Sequence, residues 1–490
     1  MKNIFAEPSK LEKLAKEKYS VPEFIMMEHA STYMKAFILN LSSEKSLPSP
    51  NVLIICGKGN NGGDGYALGR LLAGSAKVTL VQIEPPVAEE AIAQYKMCEA
   101  LNLSIVTAIP KNLSPDFIVD CLYGTGFHGD LKPELQPVFD YCNNSTAIKI
   151  ACDIPSALLF NADYTITMGE QKLVLFSDKA KAVCGKILVA NLGLPQSDFE
   201  KCLEPNAFLI EKSDLQLPCR TNKSAHKGTY GHTAVFAGEK AGASIIAATS
   251  AMNFGSGLTT LIKTPQSNLE QFKISPELML SETIPQKTTC VIIGPGFNCN
   301  NSQALEHFEI WFTNGQNPTA VMDAGMFSYD GIISLLDKLS TIKAGRIVLT
   351  PHLSELSSLI SKLKIIHPEL NLSEQDYSVK ELANNPEVKI KIGKIFNQIY
   401  PNTTLVMKSA NTFIAADSQI FVCTDGCQSL AKGGSGDILA GMIGSLLAQG
   451  YDKKNAAITA CEAHGLAANI IGAEAFDLTP EKLISKISEL

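Results

Sequence analysis

The chain has 490 residues, 45% of them hydrophobic and 19% charged, which is globular composition on a chain too long for one ordinary core. Its net charge of -7 argues against binding to nucleic acid or an anionic membrane, since both need clustered Lys and Arg. No apolar run reaches the roughly 18 residues of a membrane span.

Residues 1–20 are polar and helical in pattern and lack the apolar centre of a signal peptide. Short apolar runs then alternate with helical stretches. Strands are expected at Val52–Cys56, Val78–Ile83, Phe117–Cys121, Ile148–Asp153, Thr165–Met168 and Ile187–Ala190, with helices at Tyr66–Leu72 and Val87–Leu101. The polar, Pro218-bearing stretch Lys212–Ser224 reads as a linker, after which the pattern restarts. Strands are expected near Thr233–Ala237, Leu258–Ile262, Val291–Ile293, Ala320–Asp323, Ile347–Leu349, Thr404–Met407 and Ile420–Cys423. Helices are expected near Ile245–Asn253, Gln303–Phe312, Val388–Ile399, Ile438–Leu447 and Asn455–Ile471. Such alternation implies two α/β domains with mostly parallel sheets, at residues 1–212 and 213–490. The thirteen Cys are scattered without CxxC. Cys56, Cys121 and Cys152 lie in apolar runs and read as buried thiols of a reducing, cytoplasmic setting.

The first strand leads into GKGNNGGDG, residues Gly57–Gly65, which opens a helix. Gly57, Gly59 and Gly62 spell GxGxxG, and Glu84 follows the next strand where a ribose-binding acid would sit. Alone, this supports an NAD-dependent oxidoreductase. Asp64 argues against that, because a carboxylate there would repel a pyrophosphate. Asn60, Asn61 and Asp64 instead make an oxygen-rich loop suited to a hard cation or a sugar hydroxyl. Asp120 and Asp153 end further strands, the latter followed by Ile154-Pro-Ser156. Loops at strand C-termini converge on ligands in open α/β sheets.

GKGNNGGDG, DCLYGTG and DIPS, in this order, resemble the NAD(P)H-hydrate epimerase (YjeF N-terminal) family over about residues 1–210, and imply its Rossmann-like fold. By that resemblance, Asn61, Asp120 and Ser156 would hold a potassium ion. The hydrated nicotinamide nucleotide would be contacted by Asn60, Asn61, Gly62, Gly63 and Asp64, and by Gly124, Thr125, Gly126, Phe127, His128, Gly129 and Asp130. Asp153 would lie beside its reacting carbon as the acid/base. Ala157 stands where the family usually has Gly after DIPS.

In the second half, Lys432-Gly-Gly-Ser-Gly-Asp437 precedes a helix. Backbone N–H groups at such a start make an anion hole, and Asp437 is placed to take a proton from an attacking hydroxyl. HKGTYGH, GPG, TPH, KSANT and GGSGDILAG resemble the ADP-dependent NAD(P)H-hydrate dehydratase family, of ribokinase-like fold, over about residues 215–490. The resemblance implies Asp437 and Gly436 at the reacting hydrate and nucleotide. Lys408, Ser409, Ala410, Asn411 and Thr412 would line the nucleotide phosphates. Ala243, Gly296 and His352 would contact the hydrate. Glu239, Asn298 and Ser409 depart from the family pattern.

The joint expectation is a two-domain enzyme that epimerises R- and S-NAD(P)HX and dehydrates the S form with ADP and Mg²⁺. NADHX, NADPHX and ADP are its small-molecule partners, and a homo-oligomer is expected. A ribokinase-like small-molecule kinase fused to a dinucleotide-binding domain, or a first half that binds without chemistry, are the other readings open at this point.

Overall fold

The computed structural model describes residues 1–127, 129, 131–298 and 302–490. The chain divides into two compact units, Asn3–Asn206 and Ala207–Leu490, the latter including Met1–Lys2. That division falls a few residues before the 212/213 expected from composition. The strand Ala207–Leu209 already belongs to the second unit, where it pairs with Gln419–Cys423.

In the first unit a seven-stranded parallel sheet runs in the order Ser104–Val106, Lys77–Gln82, Asn51–Cys56, Phe117–Cys121, Ile148–Cys152, Tyr164–Met168, Lys186–Ala190. Its central strands Asn51–Cys56 and Phe117–Cys121 are buried on both faces, so they read as continuous apolar runs. One face packs on the helices Pro8–Tyr19, Glu23–Glu44 and Asn60–Leu72, the other on Gln136–Asn144 through Phe139 and Cys142. The strand order reverses between Asn51–Cys56 and Phe117–Cys121, and ligands of such sheets bind at that point. Separately, Ile4 and Phe5 pair in parallel with Gln171 and Lys172.

The second unit holds a sheet in the order Met279–Ser281, Leu258–Ile262, His232–Phe236, Cys290–Ile293, Thr319–Met322, Arg346–Leu349, Thr403–Met407, Thr412–Ala416, Gln419–Cys423, Ala207–Leu209. It is parallel as far as Thr403–Met407. Thr412–Ala416 then pairs antiparallel with both of its neighbours. The helix Ser435–Ala448 packs against Ala241–Asn253, close enough that the Ser250 hydroxyl donates to the Ile438 carbonyl at 2.8 Å. Among the described residues, no helix is long and apolar enough to cross a membrane.

Candidate active sites

The nonapeptide Gly57–Gly65 is not a loop throughout. The helix starts at Asn60, six residues before the sequence expectation, because tertiary packing overrides the low helix propensity of glycine. A Cβ at Gly57 would lie 1.9 Å from the Leu122 carbonyl oxygen, and one at Gly62 would lie 1.9 Å from the Gly57 carbonyl oxygen. A Cβ at Gly63 would meet the Met27 methyl at 2.6 Å. Gly62 and Gly63 therefore let the helix seat against its neighbours. Asp64 is consequently a buried helical residue, with Cys152 Sγ 4.0 Å from its carboxylate. Burial, reinforced by Asp153 and Glu12, pushes its carboxyl well above the usual range. The expected oxygen-rich loop of Asn60, Asn61 and Asp64 is thus the first turns of a helix.

A cavity of about 790 Å³ opens at the reversal point, a size that suits a cofactor-sized ligand. Asn60, Asn61, Asp64, Gly124, Thr125, Gly126, Phe127 and Asp153 line it, together with Glu12, Lys58, Glu84, Tyr123, Lys132 and Lys172. Gly129 is exposed, with φ +107, and His128 and Asp130 lie outside the described residues. Glu84 is engaged by Lys132 at 2.6 Å and by Lys58 at 3.8 Å, and the Lys132 hydrogen bond holds its carboxyl low.

Asp120 and Ser156 are brought together. The Ser156 hydroxyl donates to Asp120 Oδ1 at 2.7 Å and its amide to Oδ2 at 2.8 Å. Burial raises the Asp120 carboxyl to about 6 against those two bonds. Asn61 is buried at both ends of its amide, with no hydrogen-bond partner for either atom. An orphaned buried amide is costly, and a hard cation would satisfy its oxygen, Oδ1, though not the Nδ2 donor. The donor set of Asn61, Asp120 and Ser156 thus fits a monovalent cation.

Asp153 sits beyond its strand with φ +69, a left-handed conformation that costs about 1–2 kcal/mol in most residues and less in Asp. Its Oδ1 accepts from Lys172 Nζ, from Thr167 Oγ1 at 3.4 Å and from the Met168 amide at 3.3 Å. Its Oδ2 faces the Gly124 loop, where a Cβ on Gly124 would lie 3.0 Å away. Lys172 was not singled out from the sequence. Nothing in GEQK distinguishes it from a surface lysine. Ala157 and Leu158 also take positive φ, +55 and +52, which gives the physical reason glycine suits position 157.

In the second unit, Gly434 caps the helix Ser435–Ala448 at φ +93, so the amides of Gly436 and Asp437 open the helix start. Lys408 Nζ lies 3.4 Å from the place of a Cβ on Gly436 and donates to Asp323 Oδ1 at 2.8 Å. Thr350 donates to the same oxygen at 2.8 Å. Burial, with Asp323 adding to it and Lys408 opposing, raises the Asp437 carboxyl to about 6. Asp323, a strand-end acid given no role above, is therefore the residue that holds Lys408. A Cβ on Gly296 would lie 3.3 Å from Ala243 Cβ, so those two share one corner. His352 follows Arg346–Leu349 as expected, and its Nδ1 caps the helix Leu353–Ile366 by accepting from the Ser354 and Glu355 amides. Its ring remains half exposed. Ser409 accepts from the buried Lys389 at 2.7 Å and donates to the Asn411 carbonyl at 2.7 Å. Ala410 is exposed, and Thr412 begins an antiparallel strand. Glu239 and Asn298, two of the departures, touch: the Asn298 amide donates to the Glu239 carboxylate at 2.6 Å.

One unit has an oxygen-lined cavity at a sheet reversal, and the other an acid on a glycine-capped helix start beside a lysine. The first lies where open α/β sheets bind their ligands, and the second joins an acid of perturbed protonation to an exposed helix start. Residues 233–489 match the NAD(P)H-hydrate dehydratase family and residues 23–174 the family of the YjeF-related protein N-terminus. The bifunctional NAD(P)H-hydrate repair enzyme Nnr of Helicobacter pylori is 36% identical over 505 residues, covering 100% of both chains. Those of Coxiella burnetii and Escherichia coli are each 30% identical. The first covers 85% of this chain and 85% of its own, the second 86% and 81%. The chain belongs to the family of bifunctional NAD(P)H-hydrate repair enzymes.

Proposed function

We propose that the first unit interconverts the R and S hydrates of NADH and NADPH, and that the second dehydrates the S hydrate to NAD(P)H while ADP becomes AMP and phosphate. The observation that carries this reading is the full-length likeness to bifunctional repair enzymes in a chain that places Asp437 on the glycine-capped helix start beside Lys408. In the second unit, Asp437 takes the proton of the hydrate's ring hydroxyl. That oxygen attacks the terminal phosphorus of ADP, and the bond to AMP breaks. The ring nitrogen's lone pair then expels phosphate, and loss of a proton from the adjacent carbon restores the dihydropyridine. The Gly436 and Asp437 amides and the Lys408 ammonium stabilise the charge on the transferring group. Mg²⁺ entering with the nucleotide would neutralise phosphate charge with few protein ligands, and Asp437 and Asp323 are the carboxylates that would hold it.

In the first unit, Asp153 is the acid/base at the hydrate's hydroxyl-bearing carbon. Potassium held by Asn61, Asp120 and Ser156 would supply a fixed positive charge beside the nucleotide. Free buried thiols such as Cys56, Cys121 and Cys152 suit a reducing cytoplasm, and the working form in this reading is a homo-oligomer. The test is to incubate the protein with NADHX, ADP and Mg²⁺ and to follow absorbance at the NADH band. Both epimers should be consumed. Recovery of no NADH would overturn the dehydratase reading, and recovery from one epimer only would overturn the epimerase reading.

A further inference from the structure

Behind the cavity of the first unit lies a cluster of charge that the proposed chemistry has not used. Lys172 is almost completely buried on a two-residue strand, paired in parallel with Phe5. Its ammonium donates to Asp153 Oδ1 and to the Met168 carbonyl at 3.1 Å, and stands 3.7 Å from Glu170. Glu170 is fully buried, and neither of its carboxylate oxygens has a hydrogen-bond partner. Burial pushes its carboxyl up to about 8, although Lys172 opposes the rise. Burial alone would depress the Lys172 ammonium, but Asp153, Glu170 and Glu12 outweigh it and hold the ammonium above its ordinary value. Glu12, which lines the same cavity, is raised by burial against the pull of Lys172.

The geometry separates the two oxygens of Asp153. Oδ1 is fixed by three donors, with Lys172 among them. Oδ2 faces Gly124, where a Cβ would stand 3.0 Å from it, a tight contact. A carboxylate tethered by one oxygen presents the other to a ligand at a fixed angle. Positioning of that kind governs the rate of a proton transfer, and little of it shows in ground-state binding. The tether also has to survive exclusion of water when a nucleotide fills the cavity, and a buried cation does so where a surface one would be screened.

We infer that Lys172 is a positioning residue of the epimerase reaction, tethering Asp153 by Oδ1 so that Oδ2 is held toward the substrate. This rests on the assignment of Asp153 as the acid/base.

The experiment uses the full chain with purified R-NADHX and no nucleotide, following the S epimer by chromatography. Dehydratase activity on S-NADHX with ADP and Mg²⁺ serves as the internal measure of active protein. Lys172→Met keeps the volume and removes the charge. Its kcat should fall about 10²-fold, with KM within about threefold, and Lys172→Arg should recover most of the loss. A lysine that merely fills space would give the opposite order, with Met better than Arg, since apolar replacement of a buried ion is often stabilising. Where the Met variant does not fold, Lys172→Met/Glu170→Gln, which also replaces the ionisable carboxyl left without Lys172 beside it, is read in its place with the same expected loss of kcat. Unchanged kcat in the folded neutral variant, or a loss confined to KM, overturns the inference. Asp153→Asn separates the two claims. If it retains epimerase activity the acid/base assignment itself falls; if it is inactive while Lys172→Met is normal, only the role of Lys172 falls.

Discussion

Each of the two units places a lysine near two carboxyl groups, and they differ in which of them the lysine grips. In the first, Lys172 bonds directly to Asp153, the proposed acid/base. In the second, Lys408 bonds to Asp323 and acts on Asp437 only through space, so burial and the Asp323 charge prevail and Asp437 rises to about 6. The same three groups thus give a tethered carboxylate in one place and, in the other, a base tuned close to neutrality. Where the lysine spends its hydrogen bond decides which.

The largest effect should come from Asp437→Asn. Losing a positioned base costs about 10²–10⁴-fold, so dehydratase kcat should drop by that much while epimerisation is unchanged. A base must be ionised to act. With Asp437 at about 6, wild-type dehydratase kcat/KM should therefore decline as pH falls through that value. A decline centred near 4 would break the contrast drawn here.

Lys408→Met sharpens it. The buried Asp323 carboxylate would be left uncompensated, which costs about 3–5 kcal/mol, seen as a lower melting transition for the second unit alone. Because Lys408 opposes the rise of Asp437, its removal should also move the acid limb of dehydratase activity to higher pH. The reverse direction would show that Lys408 does not act on Asp437.

Asp120→Ala probes the cation reading of the first unit. Epimerase rate should drop by about tenfold and lose its response to potassium over sodium, with dehydratase activity intact. Ala157→Gly is the smallest perturbation. It relieves the left-handed backbone at φ +55 and should stabilise the first unit by about 0.5–1 kcal/mol, read from thermal unfolding, with epimerase rate nearly unchanged.

Buried parallel strands announce themselves, which is why Phe117–Cys121 and Leu258–Ile262 appear in the structure with the expected bounds. The strand Thr412–Ala416 was not legible. Its hairpin turns through Asp417 and Ser418 at φ +51 and +62, without the glycine that normally marks such a turn. The helix Glu23–Glu44 was missed as well, because its apolar residues are spread around the axis and leave no stripe to read. In the sites, the glycine loops and strand-end acids were visible because their chemistry is local in sequence. Lys172 was not, and Asp323, visible as a strand-end acid, gave no sign of its partner. Each acquires its role from a partner far along the chain, the lysine by pairing beside Phe5 and the aspartate by meeting Lys408.

The contact of Gly57 with Leu122 and of Gly62 with Gly57, each leaving 1.9 Å for a Cβ, has a consequence for anyone seeking to diversify this cavity by directed evolution. Those two positions behind the lining are closed to variation, because any side chain there would collide with backbone and displace the start of the helix Asn60–Leu72. Productive libraries must be confined to the mouth, where Lys58, Glu84 and Lys132 exchange salt bridges within reach of solvent. The search space for new substrates is therefore set by backbone spacing before any side chain is chosen.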